Sequence, residues 1–307
     1  MAKKPLENRL VWSHSRAHGW AHGCKRAYWF QYYGSWGGWE TGATELQRAT
    51  WVQKKLTTRA AWTGTRVHEV AERWIKAARY GEPVGLEDAR GWLARRARAD
   101  VEESESGEWL ERPAKRVGFR EHYYGEPVEP SDWDEALAEM DRQVVNLSEQ
   151  RLFRRLLAVP ERVREVEELR DFLVGEDPVY ASLDVLVEDG RGGAVILDWK
   201  TGQYHDNAVI GAQLGVYGLY ATQVLGFPED RIVAIHVNLR HGTETVHRVD
   251  PVAIALARET LARDMAGMRG ELADVAANRA EAEAFPPLAE GAEACGRCNF
   301  RGVCGRA

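Results

Sequence analysis

The sequence predicts an α/β fold, a central mixed sheet flanked by helices. Three observations carry that expectation. Residues 179–200 read as a β-hairpin, amphipathic helical stretches lie on either side of it, and two more short strands follow at 232–238 and 244–249.

The hairpin comes first because the chemistry sits on it. Residues 179–188 alternate, which puts Val179, Ala181, Leu183, Val185 and Val187 on one face and Asp184 on the other. The Glu188–Gly193 stretch (EDGRGG) is a turn cluster, because glycine supplies the positive φ a reversal needs. Ala194–Lys200 is the second strand, with Asp198 and Lys200 on one face and Trp199 on the other. Pairing symmetric about Arg191 sets Asp198 opposite Asp184. Two carboxylates and an ammonium then converge. Adjacent carboxylates repel unless a cation lies between them, and Mg²⁺ or Mn²⁺ prefer oxygen ligands. A nearby lysine can orient a water or stabilise negative charge, so the patch suits metal-assisted phosphodiester hydrolysis. A solvated surface strand also carries D-x-K, so this pattern alone does not decide.

Composition bounds the rest. The chain has 307 residues, 44% hydrophobic and 29% charged, which fits one large domain or a domain with an insertion. No apolar run is long enough to span a bilayer, and MAKKPLENRL lacks the apolar stretch of a signal peptide, so a cytoplasmic protein without membrane partners is expected. The formal charge of −6 argues against a passive nucleic-acid coat, which is usually basic, but not against an enzyme with a basic groove. Of twelve tryptophans, more than half precede residue 63; they read as core, with a base-stacking platform as the alternative.

Along the chain, Ser13 or Ser15 is placed to cap a short helix, 34–42 is a Gly/Trp loop, and 43–62 reads as helical. Thr63 or Thr65 is the expected cap of a helix from 65 to 79, with Val67, Val70, Ala71, Trp74, Ile75 and Ala78 as its apolar stripe. His68 lies beside that stripe and on spacing alone reads as a core or margin residue. Residues 80–160 are expected to be helical with breaks, including a long amphipathic helix over 131–158 whose arginines suit a solvated face or the wall of a channel. Residues 162–174 read as a strand. Asp206 is the expected cap of a helix to about 225, on which Gln213 and Tyr217 share a face. A long helix is expected over 251–283.

Of the four cysteines, three form C-x2-C-x5-C near one end, Cys295, Cys298 and Cys304, and Cys24 lies far upstream. This is not a secreted disulfide pattern; it suits a structural Zn²⁺ or a 4Fe–4S cluster, and spacing does not separate the two.

Taken together, GTRVHEVAE, YASLDVLVED, VILDWKTG and QLGVY, flanked by Cys24 and CGRCNFRGVC, resemble the PD-(D/E)XK nuclease superfamily. They are most similar to its RecB/AddB-like branch with an iron–sulfur cluster, which includes the CRISPR-associated iron–sulfur exonucleases. The resemblance spans nearly the whole chain, although 80–160 carries no motif of the family. It implies His68, Asp184 and Asp198 as ligands of Mg²⁺ or Mn²⁺, with the main-chain carbonyl of Trp199 completing the shell. It further implies Lys200 as the catalytic lysine, Gln213 and Tyr217 as DNA contacts, Glu72 as a neighbour of the ligands, and the four cysteines as ligands of a 4Fe–4S cluster.

The expectation is therefore one nuclease domain over 1–307 with a restriction-endonuclease-like core at 63–79 and 161–250. A helical insertion occupies 80–160, and 1–62 with 285–307 form an iron–sulfur lobe. The implied activity is metal-dependent DNA cleavage, exonucleolytic on single strands or ends, in repair, CRISPR adaptation or phage DNA processing. No phosphate-cradling G-x4-G-K-[ST] loop is present, so a motor would be a separate helicase, and a CRISPR integrase is the other implied partner. The alternatives are a DNA-binding subunit that does not hydrolyse and a nuclease for RNA.

Overall fold

The computed structural model describes residues 6–202 and 207–306, and only the backbone of 207–210. The chain begins with α1 (His14–His22) and α2 (Lys25–Trp29), which runs into a π-helical turn at Phe30–Gly34. Next come α3 (Glu45–Lys54), β1 (Leu56–Thr57), α4 (Arg59–Arg79) and α5 (Leu86–Glu105). β2 (Gly118–Phe119), α6 (Arg120–Tyr124), α7 (Pro130–Glu149) and α8 (Arg151–Ala158) lead to β3 (Val163–Val174), β4 (Asp177–Glu188) and β5 (Ala194–Lys200). After α9 (Asn207–Gln223) come β6 (Ile232–Asn238), β7 (Thr243–Arg248) and α10 (Pro251–Gly270); the single turns α11 (Glu293–Gly296) and α12 (Arg301–Cys304) lie in the tail. Among the described residues no helix is long and apolar enough to cross a membrane.

The mixed sheet has the order β3-β4-β5-β6-β7, with only β5 and β6 parallel. Strict alternation along β5 divides the core in two. Ala194 and Ile196 pack with α9, α10 and the N-terminal segment, whereas Leu197 and Trp199 pack with α4, α5, α7 and α8. The hairpin turn closes where Asp189 Oδ1 accepts from the N–H of Arg191 (2.6 Å) and of Gly193 (2.9 Å), with Gly190 and Gly192 at positive φ. Its register is the expected one: Val185 faces Leu197 and Val187 faces Val195.

The alternation in β4 is not unbroken. Val179, Ala181, Leu183 and Leu186 join one core, and Val185 joins the other. The strand therefore changes phase at Asp184, and the expected single face from 179 to 187 is corrected. The β4–β5 ladder ends at Val185–Leu197. Beyond that point the free edge of β4 is taken by Trp12, whose N–H donates to Pro178 O (2.9 Å) and whose carbonyl accepts from Tyr180 N–H (2.8 Å). The two strands separate there, and the gap is bordered by the N-terminal segment.

Several helix boundaries differ from expectation. Ser13 caps α1 as anticipated, accepting from Arg16 N–H. The helix expected over 43–62 is interrupted at 55–58, and α4 starts at Arg59, capped by Thr58. The expected lobe boundary at 62/63 thus falls inside α4, where Thr63 and Thr65 donate to the carbonyls of Arg59 and Ala61. The long helix over 131–158 breaks at Gln150, whose ψ of 125° is extended. α10 stops at Gly270 because the chain reverses at 273–279 to bring Ala280 O against Trp29 Nε1 (2.9 Å). The expected cap Asp206 lies outside the described residues.

α4 is fixed by a buried ion cluster. Asp100 of α5 is fully buried and accepts from Arg66 Nε (2.5 Å) and Trp62 Nε1 (2.8 Å), with Arg96 at 2.7 Å. Removing one partner of a buried charge network leaves the others uncompensated. Asp100→Ala is therefore expected to lose about 3–5 kcal/mol of stability in urea unfolding; a loss below about 1 kcal/mol would show that this link does not hold α4.

Candidate active site

The gap between β4 and β5 opens into a cavity of about 470 Å³ lined by His68, Glu167, Asp184, Lys200, Gln213 and Tyr217, among others. α4 can approach it because Gly64 has no side chain: a Cβ there would lie 2.9 Å from Thr201 Oγ1, just past β5. This close approach puts His68, one turn further along, over the strand ends.

Asp184 sits at the phase change in β4. Its Oδ2 accepts from Trp199 N–H (2.6 Å), a bond that replaces the strand ladder, and its Oδ1 lies 3.5 Å from His68 Nδ1. Burial pushes its pKa up, but the charges of His68 and Lys200 and the Trp199 N–H prevail, and it is held below the usual carboxylate range. Asp198 is fully buried. Burial first, and Asp184 second, push its pKa up to about 6 against the pull of Lys200. Lys200 Nζ donates to Asp198 Oδ1 (2.9 Å). It also stands 2.8 Å from Oδ2, so one ammonium straddles both oxygens of the buried carboxylate.

Glu167 is the residue that sequence reasoning missed. It lies in β3 between the pairs Val166–Val185 and Glu168–Leu183, hence across from Asp184. Its φ of 49° is left-handed, a conformation that costs a non-glycine residue about 1–3 kcal/mol. The distortion brings its Oε1 to 2.7 Å from His68 Nδ1. Burial, then the Asp184 charge, raise the Glu167 pKa, while His68 opposes them. Burial works against the charged imidazole of His68, yet Asp184 and Glu167 outweigh it and hold that pKa well above its ordinary value.

His68, Glu167 and Asp184 each offer a ligand atom, and these atoms lie within 4.8 Å of one another. The expected trio of His68, Asp184 and Asp198 is thus brought together only in part: Asp198 stands beside it, paired with Lys200. Imidazole nitrogen with carboxylate oxygens, next to the fully buried Asp198 carboxylate, is a donor set that fits a hard divalent ion. Lys200 Nζ is also 3.4 Å from Gln213 Oε1. Gln213 Nε2 donates to the Tyr217 hydroxyl (2.6 Å), which donates to Ser182 O (2.7 Å). Glu72 is bonded to Lys76 (2.6 Å) and to none of these groups. His14 was also not anticipated; it lines the cavity, and burial, then His18 and Lys200, lower its pKa.

The four cysteines are free thiols that line one cavity, walled in part by Phe30, Phe300 and Pro287. Among the described residues, no three of their sulfurs come within 4.8 Å of one another.

A mixed sheet with two buried carboxylates and a lysine where neighbouring strands part defines a class of phosphodiester-cleaving fold. The chain belongs to the PD-(D/E)XK nuclease superfamily, whose family model matches residues 11–305. Members of that superfamily are phosphodiesterase nucleases and generally use Mg²⁺ or Mn²⁺. Among solved structures the chain is similar to one described as the crystal structure of SSO0001, at 14% identity over 69% of this chain and 82% of that one. The TM-score is 0.29, so the likeness carries no weight here. Comparison with curated proteins gave no significant match.

The raised pKa of Asp198 has a stability consequence. A carboxyl whose folded pKa exceeds its unfolded value favours folding fully below about pH 4, and that contribution is lost as the pH rises through about 6. Asp198→Asn, which keeps an acceptor for Lys200, is expected to raise the metal-free unfolding free energy in urea at pH 8 by on the order of 1–2 kcal/mol, and far less at pH 4. Equal effects at both pH values would place the strain elsewhere.

Proposed function

We propose that this protein is a metal-dependent deoxyribonuclease of the RecB/AddB-like branch, acting as an exonuclease on single-stranded DNA or DNA ends. The observation that carries this reading is the buried Asp184–Asp198 pair with Lys200, set beside His68 and Glu167 at the parted strand ends. His68, Glu167 and Asp184, with Asp198 and the Trp199 carbonyl, would hold Mg²⁺ or Mn²⁺. When bound, the ion supplies Lewis-acid stabilisation of charge on the phosphoryl group.

The chain's own groups then divide the work. Asp184 is ionised at neutral pH, and Asp198, with its pKa near 6, is largely so. Lys200 is held by Asp198 with its ammonium at the cavity, where it orients the attacking water and counters negative charge on the phosphate. Before the ion is bound, Glu167 fixes the ring of His68 through Nδ1. Tyr217 is anchored on Ser182 and orients Gln213 toward Lys200, where the Gln213–Tyr217 pair contacts the DNA backbone.

The four thiols are assigned a 4Fe–4S cluster. Tetrahedral zinc at about 2.3 Å from each sulfur would hold the sulfurs roughly 3.8 Å apart. The thiols share one cavity, but among the described residues no three of their sulfurs lie within 4.8 Å of one another, so the preference for iron–sulfur over zinc rests on the resemblance of Cys24 with C-x2-C-x5-C to the cluster-bearing branch. With every cysteine used as a ligand, the cluster serves as a staple between the two ends of the chain.

The test is cleavage of end-labelled single- and double-stranded DNA by anaerobically purified protein, with Mg²⁺ or Mn²⁺ against EDTA. Asp198→Ala and Lys200→Ala are each expected to lower the rate at least a hundredfold. Unchanged rates in either variant would overturn the mechanism assigned to Asp198 and Lys200, and no cleavage by the intact protein would overturn the nuclease reading in favour of a DNA-binding subunit. RNA of the same sequence tests the sugar preference through the 2′-hydroxyl. Separately, Cys298→Ser is expected to lose the brown chromophore and to melt at lower temperature; an unchanged melt would remove the staple role.

A further inference from the structure

A second groove, of about 530 Å³, runs beside the candidate active site and shares Ser13 and Tyr180 with its lining. Its walls differ from those of the catalytic cavity. Three tryptophans, Trp36, Trp39 and Trp51, present partly exposed rings, and Lys54 and Lys55 stand beside them. We infer that this groove is the track along which single-stranded DNA enters the active site, its unpaired bases stacked on the three tryptophans and its phosphates on Lys54 and Lys55. The inference rests on the nuclease reading above, narrows its substrate to the single strand, and names the residues that would hold that strand.

Charge is the first support. The chain is acidic overall, and many of its arginines are tied into ion pairs, as Arg9 is to Asp171 on this rim. Lys54 and Lys55 have no carboxylate partner among the described residues. Lys54 instead lies 5.8 Å from the Tyr32 ring centroid. Burial, with Lys55 and Arg16 as positive neighbours, lowers its pKa to about 8. Glu7 is the one carboxylate-bearing residue among those lining the groove. An uncompensated pair of cations in a concave wall attracts a polyanion.

Rigidity is the second. The tryptophan loop is clamped to α3 at several points. Gly38 packs so closely that a Cβ would lie 2.4 Å from both Trp51 Cβ and Gln47 O. Gln47 Nε2 donates to Trp36 O (3.3 Å), and Arg48 donates to Glu40 O (2.7 Å). Trp36 and Trp39 meet edge to face at 5.0 Å. Aromatic faces held in advance lose little entropy on binding. They also select unpaired nucleotides, because a base inside a duplex has no free face to offer.

Binding without cleavage tests this independently of the nuclease reading. In EDTA, fluorescence anisotropy with a labelled oligothymidylate is expected to give tight binding, and a blunt hairpin duplex much weaker binding. Trp36→Ala and Trp39→Ala are each expected to weaken oligothymidylate binding roughly tenfold or more without changing its salt dependence, and Trp39→Phe to restore most of it. The double variant Lys54→Ala, Lys55→Ala is expected to reduce the slope of log K against log salt by about 1.4. Wild-type affinity and slope in these variants, or no measurable binding by the wild-type protein, would overturn the inference. Groove-dependent binding by a protein that cleaves nothing would support the groove and count against the nuclease.

Discussion

Two carboxylates buried side by side impose the constraint on which the rest of the site depends. Neither Asp184 nor Asp198 reaches bulk water freely, and both cannot stay ionised without nearby positive charge or N–H donors. The structure distributes these unequally. Asp184 has His68 and the Trp199 N–H; Asp198 has the Lys200 ammonium at 2.9 and 2.8 Å from its two oxygens, and stands beside the Asp184 charge. The result is one carboxyl held below its usual range and one raised to about 6, a coupled pair whose protons belong to the site as a whole. A divalent cation is the simplest occupant that would relieve both.

The fold supplies this arrangement through local departures from regularity. β4 changes phase at Asp184, the β4–β5 ladder stops one residue short of it, and Glu167 is held at positive φ across from it. Each departure forfeits strand stability and aims one polar group at a common point. The regular parts make this tolerable: α4 is fixed by the Asp100 cluster on one side of the sheet, and α9 and α10 close the other. Strain at a site of this kind persists only where the surroundings over-determine it.

That division also explains what could be read from the sequence. The hairpin register was legible because a glycine-rich turn and a period of two fix which residues face each other, and Asp184 and Asp198 followed from it. Glu167 was hidden in VREVEELRD, where charges look like a solvated face; its role comes from a backbone angle that no pattern encodes. The start of α4 was misplaced because Thr58, Thr63 and Thr65 all resemble caps, and only the fold decides which lies outside the helix. The 131–158 and 251–283 stretches kept helical composition through their breaks, which tertiary packing imposed. The Trp-rich segment left core and base-stacking platform both open, since composition does not show that Trp12 and Trp62 are core while Trp36, Trp39 and Trp51 face a groove.

The N-terminal segment joins these threads. Trp12 completes the edge of β4 at the parted strands, which places Ser13 and His14 at the candidate active-site cavity. Some twenty residues on, the same segment builds the aromatic groove, and Cys24 lies between the two. Its thiol meets Cys295, Cys298 and Cys304 in one cavity, where Phe30 stacks on Phe300 at 5.5 Å and Asn299 donates to Leu56 O at 2.7 Å. A cluster bound there would fix the segment at its middle, and with it both the border of the candidate active-site cavity and the wall of the groove. On this view the thiols need no redox role to matter for DNA cleavage: they would set how accurately a strand held by the tryptophans is delivered to Asp184 and Asp198.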